Sequence, residues 1–138
     1  MAKVKAKSNK SKKKFIKKNK PRFLTEGRIY INATFNNTMI TVTDNEGNVV
    51  KWVSSGLLGF KGTRKSTPYA AITTVERGVE EAIKMGLRKV RIFTKGPGAG
   101  REAALKVLRA KRELDILSIS DVTPIPHNGP RPPKMRRG

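Results

Sequence analysis

The sequence predicts an α/β fold: a mixed sheet of about five strands in the order βββαβαβ, with helices packed against it and disordered basic tails at both ends. Three observations carry that expectation. Apolar residues alternate with period two through residues 28–54, then recur at helical spacing after Pro68, then alternate again. Turn residues punctuate each change of period. Lys and Arg crowd residues 1–22 and 127–138, where no acid occurs.

Residues 28–35 read as the first strand, with Ile29, Ile31, Ala33 and Phe35 inward and Tyr30, Asn32 and Thr34 outward. Asn36 and Asn37 suit a tight turn, because Asn tolerates positive φ. Residues 38–43 form a second strand, with Ile40 and Val42 on one face and β-branched Thr on the other. A loop of Asp44, Asn45, Glu46, Gly47 and Asn48 follows, then a third strand over 49–54 that carries Trp52, the only Trp. Short strands joined by tight turns make an antiparallel meander. Thr67 then suits an N-cap with Pro68 at the first helical position. Ile72, Val75, Val79, Ala82 and Ile83 recur at helical spacing as far as Lys84, and Gly86 stops the helix. Residues 88–94 form a strand with Val90 and Ile92 inward. Residues 101–111 form a second helix with Ala104, Leu105 and Leu108 on its core face, and residues 115–122 a last strand with Ile116 and Leu117 near its start. Strands separated by helices are expected to pair in parallel through right-handed crossovers.

Composition narrows the function. The formal charge is +21, and residues 1–22 alone hold ten Lys and one Arg. Segments so charged bury too little apolar surface to offset their ordering entropy. They call for a polyanion, and nucleic acid is the commonest. The division expected is a basic N-terminal tail over 1–22, a single α/β domain over 23–123 and a basic, Pro-rich tail over 124–138. The absence of Cys excludes thiol chemistry, and with one His it argues against a structural zinc site. No apolar run reaches membrane-spanning length, and the N-terminus lacks the apolar stretch of a secretory signal. A transit peptide fits poorly, since such segments are Arg-rich and amphipathic and this one is Lys blocks with Ser and Asn. The ten acids include no pair that spacing singles out for acid–base work. Asp44, Asp115 and Asp121 would make a metal-dependent nuclease only if they met at one end of the sheet.

Three segments are candidates for anion binding. Residues 59–66 lie between a strand and a helix, where a phosphate loop sits, with Lys61, Arg64, Lys65 and Ser66 as the contacts. Arg64 stands where the nucleotide loop needs Gly, so an extended sugar–phosphate backbone fits better than one nucleotide. The bland alternative is a solvated surface loop. In residues 95–102, Lys95, Gly96, Gly98, Gly100 and Arg101 lead into a helix start whose amides and dipole favour an anion. The same glycines suit a plain strand-to-helix turn, and Glu102 suits a helix first turn. In the tail, His127, Asn128, Arg131, Lys134, Arg136 and Arg137 lie on a chain that Pro keeps extended and stiff. His127 has no Ser, Cys or metal ligand near it in sequence and reads as a contact, not a catalyst.

Read together, four stretches resemble bacterial-type small-subunit ribosomal protein eleven. They are residues 33–38 with 41–44, residues 59–71, residues 95–102 and residues 121–129, in that order. The resemblance runs from about residue 27 to the C-terminus. It implies a ribonuclease-H-like sandwich without enzymatic activity or cofactor. It also implies a place on the platform of the small ribosomal subunit, bridging ribosomal RNA helices and helping to form the cleft for the messenger's Shine–Dalgarno helix. The neighbours it implies are small-subunit proteins seven and eighteen, with messenger RNA and initiation factor three nearby and no membrane. It implies a ribosome-bound protein of the bacterial cytoplasm or an organelle interior. The family usually has Cys where Pro130 stands and often Pro at Ala99. Two other functions compete: a free-standing nucleic-acid binder such as an RNA chaperone, which high salt would strip from ribosomal subunits, and a nucleotide-binding enzyme using residues 59–66, which Arg64 opposes.

Overall fold

A computed structural model describes residues 23–138; the N-terminal tail assigned to 1–22 lies outside the described residues. Five strands form one sheet: β1 (Glu26–Ala33), β2 (Thr38–Thr43), β3 (Val49–Ser54), β4 (Lys89–Lys95) and β5 (Asp115–Asp121). Their spatial order is β3-β2-β1-β4-β5. β1–β2 and β2–β3 are antiparallel, and β1–β4 and β4–β5 are parallel. Helix α1 (Pro68–Lys84) and helix α2 (Gly100–Ala110) supply the crossovers. The expected βββαβαβ order and mixed α/β sheet are both present. Right-handed crossovers stepping in one direction place both helices on one face. There Ile29, Ile31, Ile40, Val42, Val53, Val90 and Ile92 meet Val75, Val79, Ala104 and Leu108 in the core.

Local chemistry sets the joints. Thr67 caps α1: its Oγ1 accepts from the Ala70 amide at 3.3 Å and donates to the Arg64 carbonyl at 2.8 Å. Pro68 follows at the first helical position. Gly86, at φ +93°, ends the helix beyond Met85 in the left-handed region. The β1–β2 hairpin departs from expectation. Neither Asn36 nor Asn37 has positive φ; Asn128 alone does so among the described non-Gly residues. Instead, Thr34 Oγ1 accepts from the amides of Asn36 and Asn37 at 3.4 and 3.0 Å. A side-chain oxygen thus takes the place of left-handed backbone.

Two packing expectations are also corrected. β1 ends at Ala33, so Phe35 rides out on the hairpin and is 73% exposed. On α1, Ala70, Ala71, Thr74 and Gly78 are buried, while Ile72 and Ile83 are only partly so. The helix lies so close to β2 that a Cβ on Gly78 would stand 2.7 Å from Ile40 Cγ2, which favours small residues over large ones. Leu105 on α2 is partly buried and packs against the core, on the face expected. In β5 the register slips between the partners of Val90 and Arg91, leaving Leu117 as the extra residue and half exposed.

Candidate nucleic-acid interface

Strand direction fixes where the candidate segments go. β1, β3, β4 and β5 run the same way, and both helices run back against them. The C-terminal ends of those four strands, the hairpin at residues 34–37 and the N-termini of α1 and α2 therefore share one end of the molecule. Each anion-binding candidate leaves from that end: residues 59–66 after β3, residues 95–101 after β4 and the tail after β5.

In the first segment Gly59 and Gly62 have φ of +92° and +59°, and residues Gly62–Ser66 close a 3-10 turn. Lys61 and Arg64 are exposed, and Lys65 and Ser66 are partly buried. Ser66 Oγ donates to the Thr63 carbonyl at 3.1 Å. Phe60 packs edge-on against the Tyr69 ring at 6.1 Å, which ties the segment to the first turn of α1. Among the described residues no carboxylate is paired with Lys61, Arg64 or Lys65.

The second segment differs from its sequence reading. Gly96, Gly98 and Gly100 are buried and face the protein itself. A Cβ would lie 2.2 Å from the Ala33 carbonyl oxygen at Gly96 and 2.5 Å from the Thr34 oxygen at Gly98. At Gly100 it would lie 2.5 Å from Thr38 Oγ1 and 2.8 Å from Ala71 Cβ. The Gly98 amide donates to the Ala33 carbonyl at 2.9 Å. These glycines let the turn cross the end of β1; that requirement accounts for them without a ligand. Lys95 is exposed. Ala99 stands at the N-cap of α2 and offers no side-chain cap, and Glu102 lies in the first turn.

A latch that sequence reasoning missed holds this turn to the end of β5. Arg101 donates to and ion-pairs with Asp121 Oδ2. The other carboxylate oxygen accepts from the Thr123 amide at 3.0 Å and its hydroxyl at 2.6 Å. Thr123 Oγ1 in turn accepts from the Gly96 amide at 3.2 Å. The Thr123 hydrogen bonds, helped by Arg101, hold Asp121 down to a pKa of about 2. The spacing of Asp121 and Thr123, an Asx-type turn, was the available signal. Arg101 is thus partly neutralised, whereas Lys61 and Arg64 are not.

The third segment is extended and exposed throughout, with His127, Asn128, Arg131, Lys134, Arg136 and Arg137 all open to solvent. Asn128 has φ +57°, as a turn at Asn128–Gly129 requires. The carboxylate cluster weighed above does not form. Asp121 lies at the opposite end of β5 from Asp115, and Asp44, just past the end of β2, is separated from β5 by two strands. Among the described residues no group of three or more His, Cys, Asp or Glu could hold a metal ion, and no helix is long and apolar enough to cross a membrane.

The comparisons with known proteins agree with one another. A family model described as ribosomal protein S11 matches residues 27–137. The chain is 55% identical over 127 residues to the small ribosomal subunit protein uS11 of one strain of Treponema pallidum subsp. pallidum, covering 92% of this chain and 97% of that one. The same figures hold for the uS11 of the Nichols strain of Treponema pallidum. The family is one of ribosomal structural proteins and not of enzymes. The chain belongs to the ribosomal protein S11 family of the small ribosomal subunit.

Proposed function

We propose that this protein is a structural, ribosome-bound component of the small-subunit platform. It grips ribosomal RNA with Lys61, Arg64, Lys65 and Ser66, with the turn of Lys95, Gly96, Gly98, Gly100 and Arg101, and with His127, Asn128, Arg131, Lys134, Arg136 and Arg137. The observation that carries this reading is the convergence of all three segments on one end of the sheet. Both helix dipoles point their positive ends there, and the carboxylates nearest by sequence are Glu102 and the already paired Asp121. Three basic segments leaving one end can hold separate RNA helices, which is what bridging requires. In the second segment Lys95 and the uncapped start of α2 meet the phosphate, while the glycines supply the shape of the turn. The messenger cleft and contacts with small-subunit proteins seven and eighteen and initiation factor three are assigned to the same end. The chain resides in whichever compartment holds its ribosome.

The test is salt dependence of binding to small-subunit ribosomal RNA. Each neutralised phosphate adds roughly 0.7–0.9 to the log–log slope. Replacing Lys61, Arg64 and Lys65 by Ala is expected to lower the slope by about two to three units. An unchanged slope makes the segment a solvated surface.

A further inference from the structure

Both helices cover one face of the sheet, and no described element covers the other. Across that open face, five residues on five strands stand in one row: Trp52, Thr41, Tyr30, Phe93 and Ser120, each the register partner of the next. The Tyr30 and Phe93 rings stack, with centroids 5.0 Å apart and planes 16° from parallel. That separation is close to the spacing of neighbouring strands, so the rings stand upright with their faces turned along the row. One face of Tyr30 is spent on Phe93. Its other face looks over the small side chain of Thr41 toward Trp52, which is 50% exposed. Trp52 and Tyr30 lie two strands apart, about 10 Å. That is wide enough for one flat ring to slide between two others.

The neighbouring row is cationic. Arg28 and Arg91 are register partners on adjacent strands, two like charges leaving the same face side by side. Arg28 Nε is buried and has no hydrogen-bond partner among the described residues. On the other side Asn32 stands beside Lys95. The carboxylates on this face are at its far edge: Glu26, 3.8 Å from Lys89, and Asp115.

We propose that this open face is a second RNA site, separate from the basic end, that takes an unpaired nucleotide. The base enters above Thr41 between the Tyr30 ring and the Trp52 indole, and its phosphates settle on Arg28 and Arg91. A single strand fits this chemistry better than a protein surface does. Covering the face with protein would desolvate the paired Arg28 and Arg91 without an anion to answer them. It would also bury Thr41, Ser118 and Ser120 against apolar groups. Nucleic acid supplies a π-face for each ring and a phosphate for each cation. Duplex RNA, with its bases stacked internally, supplies only the phosphates.

Trp52 is the only Trp in the chain and therefore reports on the slot directly. Titration of the full chain with a single-stranded oligouridine is expected to quench its fluorescence, and a duplex RNA of the same length is not. Trp52→Leu removes one wall at a half-exposed position, and Thr41→Tyr fills the slot without touching the core. Each is expected to weaken oligouridine binding, measured by anisotropy, about tenfold while leaving duplex affinity unchanged. Absent quenching, or unchanged oligouridine affinity in both folded variants, overturns the proposal. If the variants bind RNA normally but no longer enter small subunits, the face docks a protein and the stacking role falls. The proposal does not rest on the basic end: loss of the salt-slope effect of Lys61, Arg64 and Lys65 would leave it standing.

Discussion

At Gly96 and Gly98 one atom decides the outcome. Gly96 combines φ +102° with a Cβ position against the Ala33 carbonyl, so any side chain there meets both backbone strain and a collision. Gly98 is not in the left-handed region, yet its Cβ would still strike the Thr34 and Ala33 oxygens. Gly96→Ala and Gly98→Ala are each expected to destabilise the fold by at least about 1–2 kcal/mol, seen as a lower urea midpoint. A Gly98→Ala variant as stable as the parent would refute this packing account of the turn. Asp121 gives the residue-scale pH prediction. Its carboxyl titrates near 2 in the folded chain, below the ordinary 3.8. A depressed folded pKa contributes stability that is present above the unfolded value and lost as pH falls through the folded one. The contribution of the latch to stability is therefore expected to be whole above about pH 4 and to be lost between there and about pH 2, and the latch itself to open around pH 2. Carboxyl NMR checks this: a midpoint near 4 for Asp121 would mean that Thr123 and Arg101 do not hold it.

At the scale of the element, the cap of α1 couples stability to the basic segment. Thr67 Oγ1 bonds forward to Ala70 and back to Arg64, so one hydroxyl ties the 3-10 turn to the helix. Thr67→Ala is expected to cost about 1 kcal/mol, and Thr67→Ser to recover most of it. Denaturant unfolding of the two variants measures the difference. A Ser variant no better than Ala would show that the hydroxyl contributes little. The helices also show why some of the core escaped a reading of apolar periodicity. Such a reading marks large side chains, whereas α1 approaches the sheet through Ala71, Thr74 and Gly78. Close helix–sheet contact selects for lack of bulk, which period alone does not signal.

Over the whole molecule, charge is arranged by topology. Alternating connections send all three anion-binding candidates out of one end, and both helices present their N-termini to it. The C-terminal tail makes no contribution to the core, since it is exposed along its length. Deleting residues 127–138 is expected to leave stability within about 0.5 kcal/mol. The same deletion removes Arg131, Lys134, Arg136 and Arg137 and is expected to lower the salt slope for ribosomal RNA by about three to four units. A slope that does not fall would mean that the tail lies free of RNA.

By itself the sequence determined the order of elements, the ends of β2, β3 and α1, the anionic character of the partner and the family. These are local or compositional properties: period-two and helical alternation, caps such as Thr67 before Pro68, and uncompensated Lys and Arg all act within a few residues of themselves. The three anion-binding candidates were legible for the same reason. Tertiary structure alone decided that they share one end, because parallel and antiparallel pairing set strand direction only after the chain folds back. It also decided that Gly96, Gly98 and Gly100 answer to Ala33, Thr34 and Thr38, more than fifty residues away, and that Arg101 is partly spent on Asp121. The row from Trp52 to Ser120 is the extreme case. Its members come from five strands, and register between strands is fixed by which apolar faces meet the helices.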